Sequence, residues 1–79
     1  LEETIEISVN RNFINIQQHG STPNTLNIFI TNVLGQNVIL KNTAEQYHSI
    51  PTSLLKPGSY FCTILLGNGR RITKQLTVL

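Results

Sequence analysis

At 79 residues the chain holds one domain at most, and a domain of that size buries only about 60% of its unfolded surface, so its core must be efficient. With 39% hydrophobic and 13% charged residues, it has too few charges and too many apolar side chains for a disordered tail. The net charge of +2 comes from few basic residues without interleaved aromatics, which argues against a nucleic-acid partner.

A period of two dominates the chain, and no stretch sustains a period of 3.6. Ile5, Ile7 and Val9 alternate with Glu6 and Ser8 in a first strand. Asn10-Arg11-Asn12 predicts a tight turn, and Phe13, Ile14 and Ile16 a second strand, so the pair reads as a hairpin. Gln18 to Asn24, with Gly20, Ser21 and Pro23, has loop chemistry. Leu26, Ile28 and Ile30 alternate with Asn27, Phe29 and Thr31 in a third strand, and Phe29 makes it apolar on both faces, hence central. Asn32 to Asn37 turns around Gly35, where positive φ is easily placed.

Val38, Ile39 and Leu40 predict a fourth strand, followed by a polar, loop-like Asn42 to Gln46. Tyr47 to Ile50 reads as a short edge strand closed by Pro51. Leu54 to Gly58 is a corner, and Ser59 to Leu66, apolar on both faces, is the strongest strand in the chain. Gly67-Asn68-Gly69 is a hairpin turn, and Ile72, Leu76 and Val78 mark a last strand ending at Leu79. About seven strands with regular turn signals predict an all-β, immunoglobulin-like antiparallel β-sandwich forming a single domain over residues 1–79. Tyr60, placed after a Pro-Gly corner and two residues before Cys62, fits a tyrosine corner, although a core Trp and a second Cys are missing.

The charges are unevenly placed. Glu2, Glu3, Glu6 and Glu45 against Arg11 and Lys41 leave −2 through Glu45, and Lys56, Arg70, Arg71 and Lys74 give +4 after it. That asymmetry would draw an anionic partner to the C-terminal end. Lys74 shares parity with Ile72, Leu76 and Val78, so it either snorkels at the sandwich margin, marks a bulge, guards an edge strand or serves a partner. Arg70 and Arg71 are expected to join it in one basic patch.

Little chemistry is expected. Cys62 stands alone, so it forms no internal disulfide and reads as a packing residue. His19 and His48 lie in separate loop or edge segments, and with Cys62 and Glu45 as the further candidates they make no convincing metal set. There is no Asp, no evident acid–base pair, and no phosphate-binding glycine loop, so neither catalysis nor a cofactor is expected. No apolar run approaches the length of a bilayer span, and no leader-like N-terminus is visible. A chain that starts without Met, in a strand, is expected to be excised from a longer protein.

Three segments carry a resemblance. Leu26 to Val38 contains an alternating strand and then Asn32-x-x-Gly35-x-x-Val38. Leu55-Lys56-Pro57-Gly58-Ser59-Tyr60-Phe61 follows, and Gly69 to Leu79 closes the chain with a lysine shortly before an apolar end. In series, over roughly residues 5 to 79, they resemble the type A C-terminal sorting domain of the Bacteroidetes type IX secretion system. Departures are the missing Tyr-Pro-Asn-Pro motif near the start, Lys56-Pro57 before the glycine, and Cys62 where Val is commoner.

The resemblance implies a label rather than a catalyst. Such a domain directs secreted cargo from the periplasm across the outer membrane to the cell surface. It is bound there by an outer-membrane shuttle and a surface sortase, which usually removes it and links the cargo to anionic lipopolysaccharide. On that reading Arg70, Arg71, Lys74, Leu76, Val78 and Leu79 form the recognised end, and Asn32, Gly35, Val38, Leu55, Gly58, Tyr60 and Gly69 hold its structure. An exposed terminal edge would also allow weak homodimers. The rival readings are a fibronectin-like or immunoglobulin-like spacer or adhesion module, and a carbohydrate-binding sandwich, for which Tyr47 would be the free aromatic.

Overall fold

Alternation of apolar and polar residues is satisfied by strands that bury one face each, and two such sheets cover one another. The computed structural model describes residues 4–19, 25–67 and 69–79. The strands are β1 (Thr4–Val9), β2 (Phe13–His19), β3 (Leu26–Asn32), β4 (Asn37–Thr43), β5 (Tyr47–Pro51), β6 (Gly58–Leu66) and β7 (Arg71–Val78). A single 3₁₀ turn, Thr52–Leu54, follows β5. All pairings are antiparallel, in a three-stranded sheet ordered β1-β2-β5 and a four-stranded sheet ordered β4-β3-β6-β7. This is the all-β, immunoglobulin-like sandwich of about seven strands expected from the sequence. β3 is an inner strand and β5 an edge, also as expected.

The core lies between the sheets. Ile14, Ile16 and Ile50 meet it from the three-stranded sheet, and Leu26, Ile28, Ile30, Cys62 and Ile64 from the other, each at most 1% exposed. Burying one such aliphatic side chain stabilises the fold by about 1.5–3 kcal/mol. Among the described residues Gln18, 4% exposed, is one of two buried polar residues, with Thr52, and its amide nitrogen donates to the Glu45 carbonyl at 3.0 Å. A buried polar group with that partner costs little.

Two boundaries differ from the alternation-based reading. Gln18 and His19 belong to β2, because they pair with Ile5 and Thr4. Lys41, Asn42 and Thr43 extend β4, because backbone pairing to β3 holds a polar edge strand that hydrophobicity alone does not mark. There the Asn42 amide donates to the Asn27 side-chain oxygen at 2.6 Å. The expected loop residues Gly20 to Asn24, the turn residue Asn68, and Glu2 and Glu3 lie outside the described residues.

The turns are held by side chains. Asn32 Oδ1 accepts from the backbone N–H of Leu34 and Gln36 at 2.9 and 3.0 Å, while its amide donates to Gln36 Oε1 at 2.9 Å. Gly35 sits in this turn at φ +82°, a conformation that a side chain makes costly. Asn10 acts similarly, accepting from the N–H of Asn12 and Phe13 at 2.9 and 2.8 Å. Val38 is the unpaired residue of a bulge between the Ile30–Ile39 and Thr31–Asn37 pairs. Thr52 fastens the 3₁₀ turn to the β1–β2 turn, its hydroxyl donating to the Arg11 carbonyl at 2.7 Å and its N–H to the Asn12 carbonyl at 2.9 Å.

Candidate functional site

β7 is joined to β6 by a hairpin in which Leu66 N–H donates to the Arg70 carbonyl (2.8 Å) and Gly69 N–H to the Leu66 carbonyl (2.9 Å). Pairing then runs from Leu65–Arg71 to Gly58–Val78. Because parity alternates, this register decides each residue's face. Ile72, Lys74, Leu76 and Val78 take the core side, and Arg71, Thr73, Gln75 and Thr77 the outer side.

That register redistributes the six residues expected at the recognised end. Leu76 and Val78 are 2% and 4% exposed, so on the folded domain they are core and out of a partner's reach. Arg70, Arg71 and Leu79 are exposed. The single basic patch does not form, since Arg71 and Lys74 lie on opposite faces of one strand. Lys74 is an exposed residue whose ammonium nonetheless donates to the Ile7 carbonyl of β1 at 2.6 Å, across the seam between the sheets. Snorkelling at the margin is thus its observed state, and the register of β6 and β7 has no bulge there.

The corner before β6 is built around Tyr60. Its hydroxyl donates to the Lys56 carbonyl at 2.6 Å, the bond that defines a tyrosine corner, and the side chain is 7% exposed. Gly58 precedes it at φ +151°, and Leu55 packs half-buried against the core. Tyr60→Phe is expected to cost about 1–2 kcal/mol in urea unfolding with the m-value unchanged, since the Lys56 carbonyl loses its donor. A Phe variant as stable as the parent would show that the bond contributes nothing.

Elsewhere the side chains offer little chemistry. Cys62 is fully buried and paired in register with Lys74, and burial pushes its thiol up to about 11. A thiol so placed is a poor nucleophile at neutral pH. His19 Nε2 lies 3.2 Å from Glu6 Oε1, in a contact outside hydrogen-bond geometry, and His48 Nδ1 lies 3.5 Å from Glu45 Oε1. Among the described residues no three His, Cys, Asp or Glu side chains group as a metal site. Among the described residues no helix is long and apolar enough to cross a membrane.

The aromatics also differ from expectation. Tyr47 is 53% exposed, but its hydroxyl is engaged by Asn15 Oδ1 at 2.8 Å. Phe13 and Phe61 are exposed as well, at 43% and 37%, because strand parity turns them outward. Two of the open depressions among the described residues touch these elements. One of about 570 Å³ lies where Phe13, Thr52 and Leu55 meet Leu79. The other, about 490 Å³, lies between β1 and β7.

A family model for secretion system C-terminal sorting domains matches residues 3–79. The chain belongs to this family. As a type IX sorting domain it is a label for a secreted cargo. No curated protein matches its sequence. The family motif residues have structural work in the sorting domain: Asn32 and Gly35 form the β3–β4 turn, Tyr60 the corner, and Gly69, at φ +91°, the last hairpin. The sequence reading missed Thr52 and the Ile7 carbonyl. A Thr directly after Pro51 at a strand end was the available sign of the first. No side-chain pattern marks a main-chain acceptor, so the second had no sign.

Proposed function

We propose that this sorting domain, of type A and standing at the C-terminal end of a larger secreted protein, is read at its last strand by an outer-membrane shuttle and a surface sortase. Cargo then arrives at the outer-membrane surface and is joined to anionic lipopolysaccharide, while the domain itself performs no catalysis. The observation that carries this is the position of β7, at the edge of the four-stranded sheet and, among the described residues, paired on one side only. Its outward row, Arg71, Thr73, Gln75 and Thr77, is exposed, and Leu79 is 88% exposed beyond it. The cationic arginine suits an acidic receptor surface, where charge sets orientation and encounter rate more than affinity.

Removing β7 outright is a poor test, because Leu76 and Val78 would leave the core with it. The outward row separates recognition from folding. In a host with type IX machinery, residues 1–79 fused to a periplasmic reporter are expected to bring the reporter to the surface. The triple variant Arg71→Glu, Thr73→Glu, Gln75→Glu should melt within a few degrees of the parent domain, as surface substitutions usually do. It should nevertheless leave most of the reporter in the periplasm. Equal surface display by a folded triple variant would refute recognition through this row.

A further inference from the structure

Among the described residues β1 pairs only with β2, and β7 only with β6, so each has one edge without a strand partner there. The depression of about 490 Å³ lies between these two edges, lined by Ile5, Glu6, Ile7, Ser8, Ile72 and Thr73 together with Lys74. The Lys74 bond reveals how the β1 backbone is turned. Since Ile7 C=O accepts from Lys74 Nζ, it points into the cleft and away from β2. In an antiparallel pair, residues two apart present their backbone groups to the same side. Ile5, which also lines the cleft, therefore offers its N–H and C=O there as well, and Val9 turns its own away from β2 further along the same edge. The cleft floor is apolar and incompletely covered: Ile5 and Ile72 are half-buried, where neighbouring Ile7 and Leu76 are 5% and 2% exposed.

Lys74 meets one acceptor of this edge with a long side chain, whose ordering costs rotamer freedom. A strand would supply several donors and acceptors in register and cover both isoleucines. Unpaired backbone groups select polypeptide over other ligands, because only an extended backbone matches their spacing. Displacing Lys74 leaves its ammonium beside the newly filled cleft, so a carboxylate on the occupant is favoured there.

We infer that the β1 edge, within the β1–β7 cleft, accepts an extended segment of a partner polypeptide, alternating in apolar residues and carrying one Asp or Glu. A backbone N–H of that segment takes over the Ile7 carbonyl, and Lys74 is released to the acidic side chain. This inference shares β7, through Lys74, with the sorting proposal but does not depend on it: peptide-induced shifts at β1 test the one, and surface display of the reporter tests the other.

The test uses residues 1–79, isotope-labelled, titrated with an acetylated, amidated Val-Thr-Val-Glu-Val-Thr-Val peptide, and with its Glu-to-Gln counterpart. The acidic peptide should move the amide signals of Ile5 to Val9 and Ile72 to Lys74, and bind about tenfold more tightly than the Gln peptide, as one added charge-assisted contact predicts. In Lys74→Met the two peptides should bind alike. Val9→Pro removes an N–H from the same outer edge of β1, next to the cleft, without touching the β2 ladder, so it should weaken binding and reduce the shifts in a folded domain. If that variant fails to fold, the Lys74→Met comparison alone decides. No shifts at millimolar peptide, shifts at β4 or β5 instead, or equal binding of both peptides by the parent would each overturn the inference. Concentration-dependent shifts of Ile5 to Val9 without peptide would also overturn it, by making a second copy of this chain the occupant.

Discussion

Ile28→Ala is expected to remove about 3 kcal/mol of folding stability, from the known range of about 2–5 kcal/mol for such truncations at buried sites. Ile28 is fully buried on inner strand β3, between Lys41 of β4 and Ile64 of β6 in the pairing register. The lost transfer free energy of the removed carbons adds to the cost of a cavity that two flanking strands prevent from collapsing. A domain of this size holds about 4–12 kcal/mol in total, so the variant gives up a large share of it. Leu40→Ala is the matched control. It lies on the outer side of β4 at 60% exposed and should change stability by no more than about 0.5 kcal/mol. Urea unfolding of both, with equal m-values, checks the pair. Similar losses at the two positions would mean that the core does not lie between the sheets.

Alkaline pH is expected to destabilise the domain through Cys62. Burial raises its thiol from 9.0 to about 11 in the folded state, while the unfolded thiol keeps its ordinary value. The neutral thiol is thus the form that the fold favours. Its contribution is fully present below pH 9, because neither state has then lost the proton. Above pH 9 the unfolded state releases its proton first, so stability falls as pH rises and levels off beyond pH 11. Two pH units of separation correspond to a loss of about 2–3 kcal/mol. Cys62→Val fills the same buried position without an ionisable group. Unfolding free energies of parent and variant at successive pH values should run parallel below pH 9 and diverge above it, the parent falling faster. Parallel curves through pH 11 would show that the thiol titrates normally and is not desolvated.

Much of this domain was legible in the order of its residues. Strand period, turn residues and the Leu55 to Phe61 corner identified seven strands, and the serial segments from Leu26 to Leu79 pointed to the family that the whole-chain match establishes. Those features are local: side-chain alternation, the positive φ available to Gly35, and the reach of Tyr60 back to Lys56 all operate within a few residues. Asn32 is the clearest example, since every bond it makes in its turn stays within four residues.

The candidate site was less legible, because it depends on which strands become edges and on how the two sheets meet. Cationic residues near one end of the chain suggested a single patch, yet the pairing of Leu65 with Arg71 and Cys62 with Lys74 separates Arg71 and Lys74 onto opposite faces. β4 extends through Lys41, Asn42 and Thr43 because a neighbouring strand supplies hydrogen bonds that composition does not announce. The meeting of Lys74 with Ile7 joins residues far apart in the chain, through a carbonyl that every amino acid possesses. Strand identity was therefore set by local alternation and turn chemistry. The exposure of β7, the placement of its charges and the cleft beside β1 were decided by tertiary packing, because only the pairing of distant strands determines which backbone groups are left unpaired.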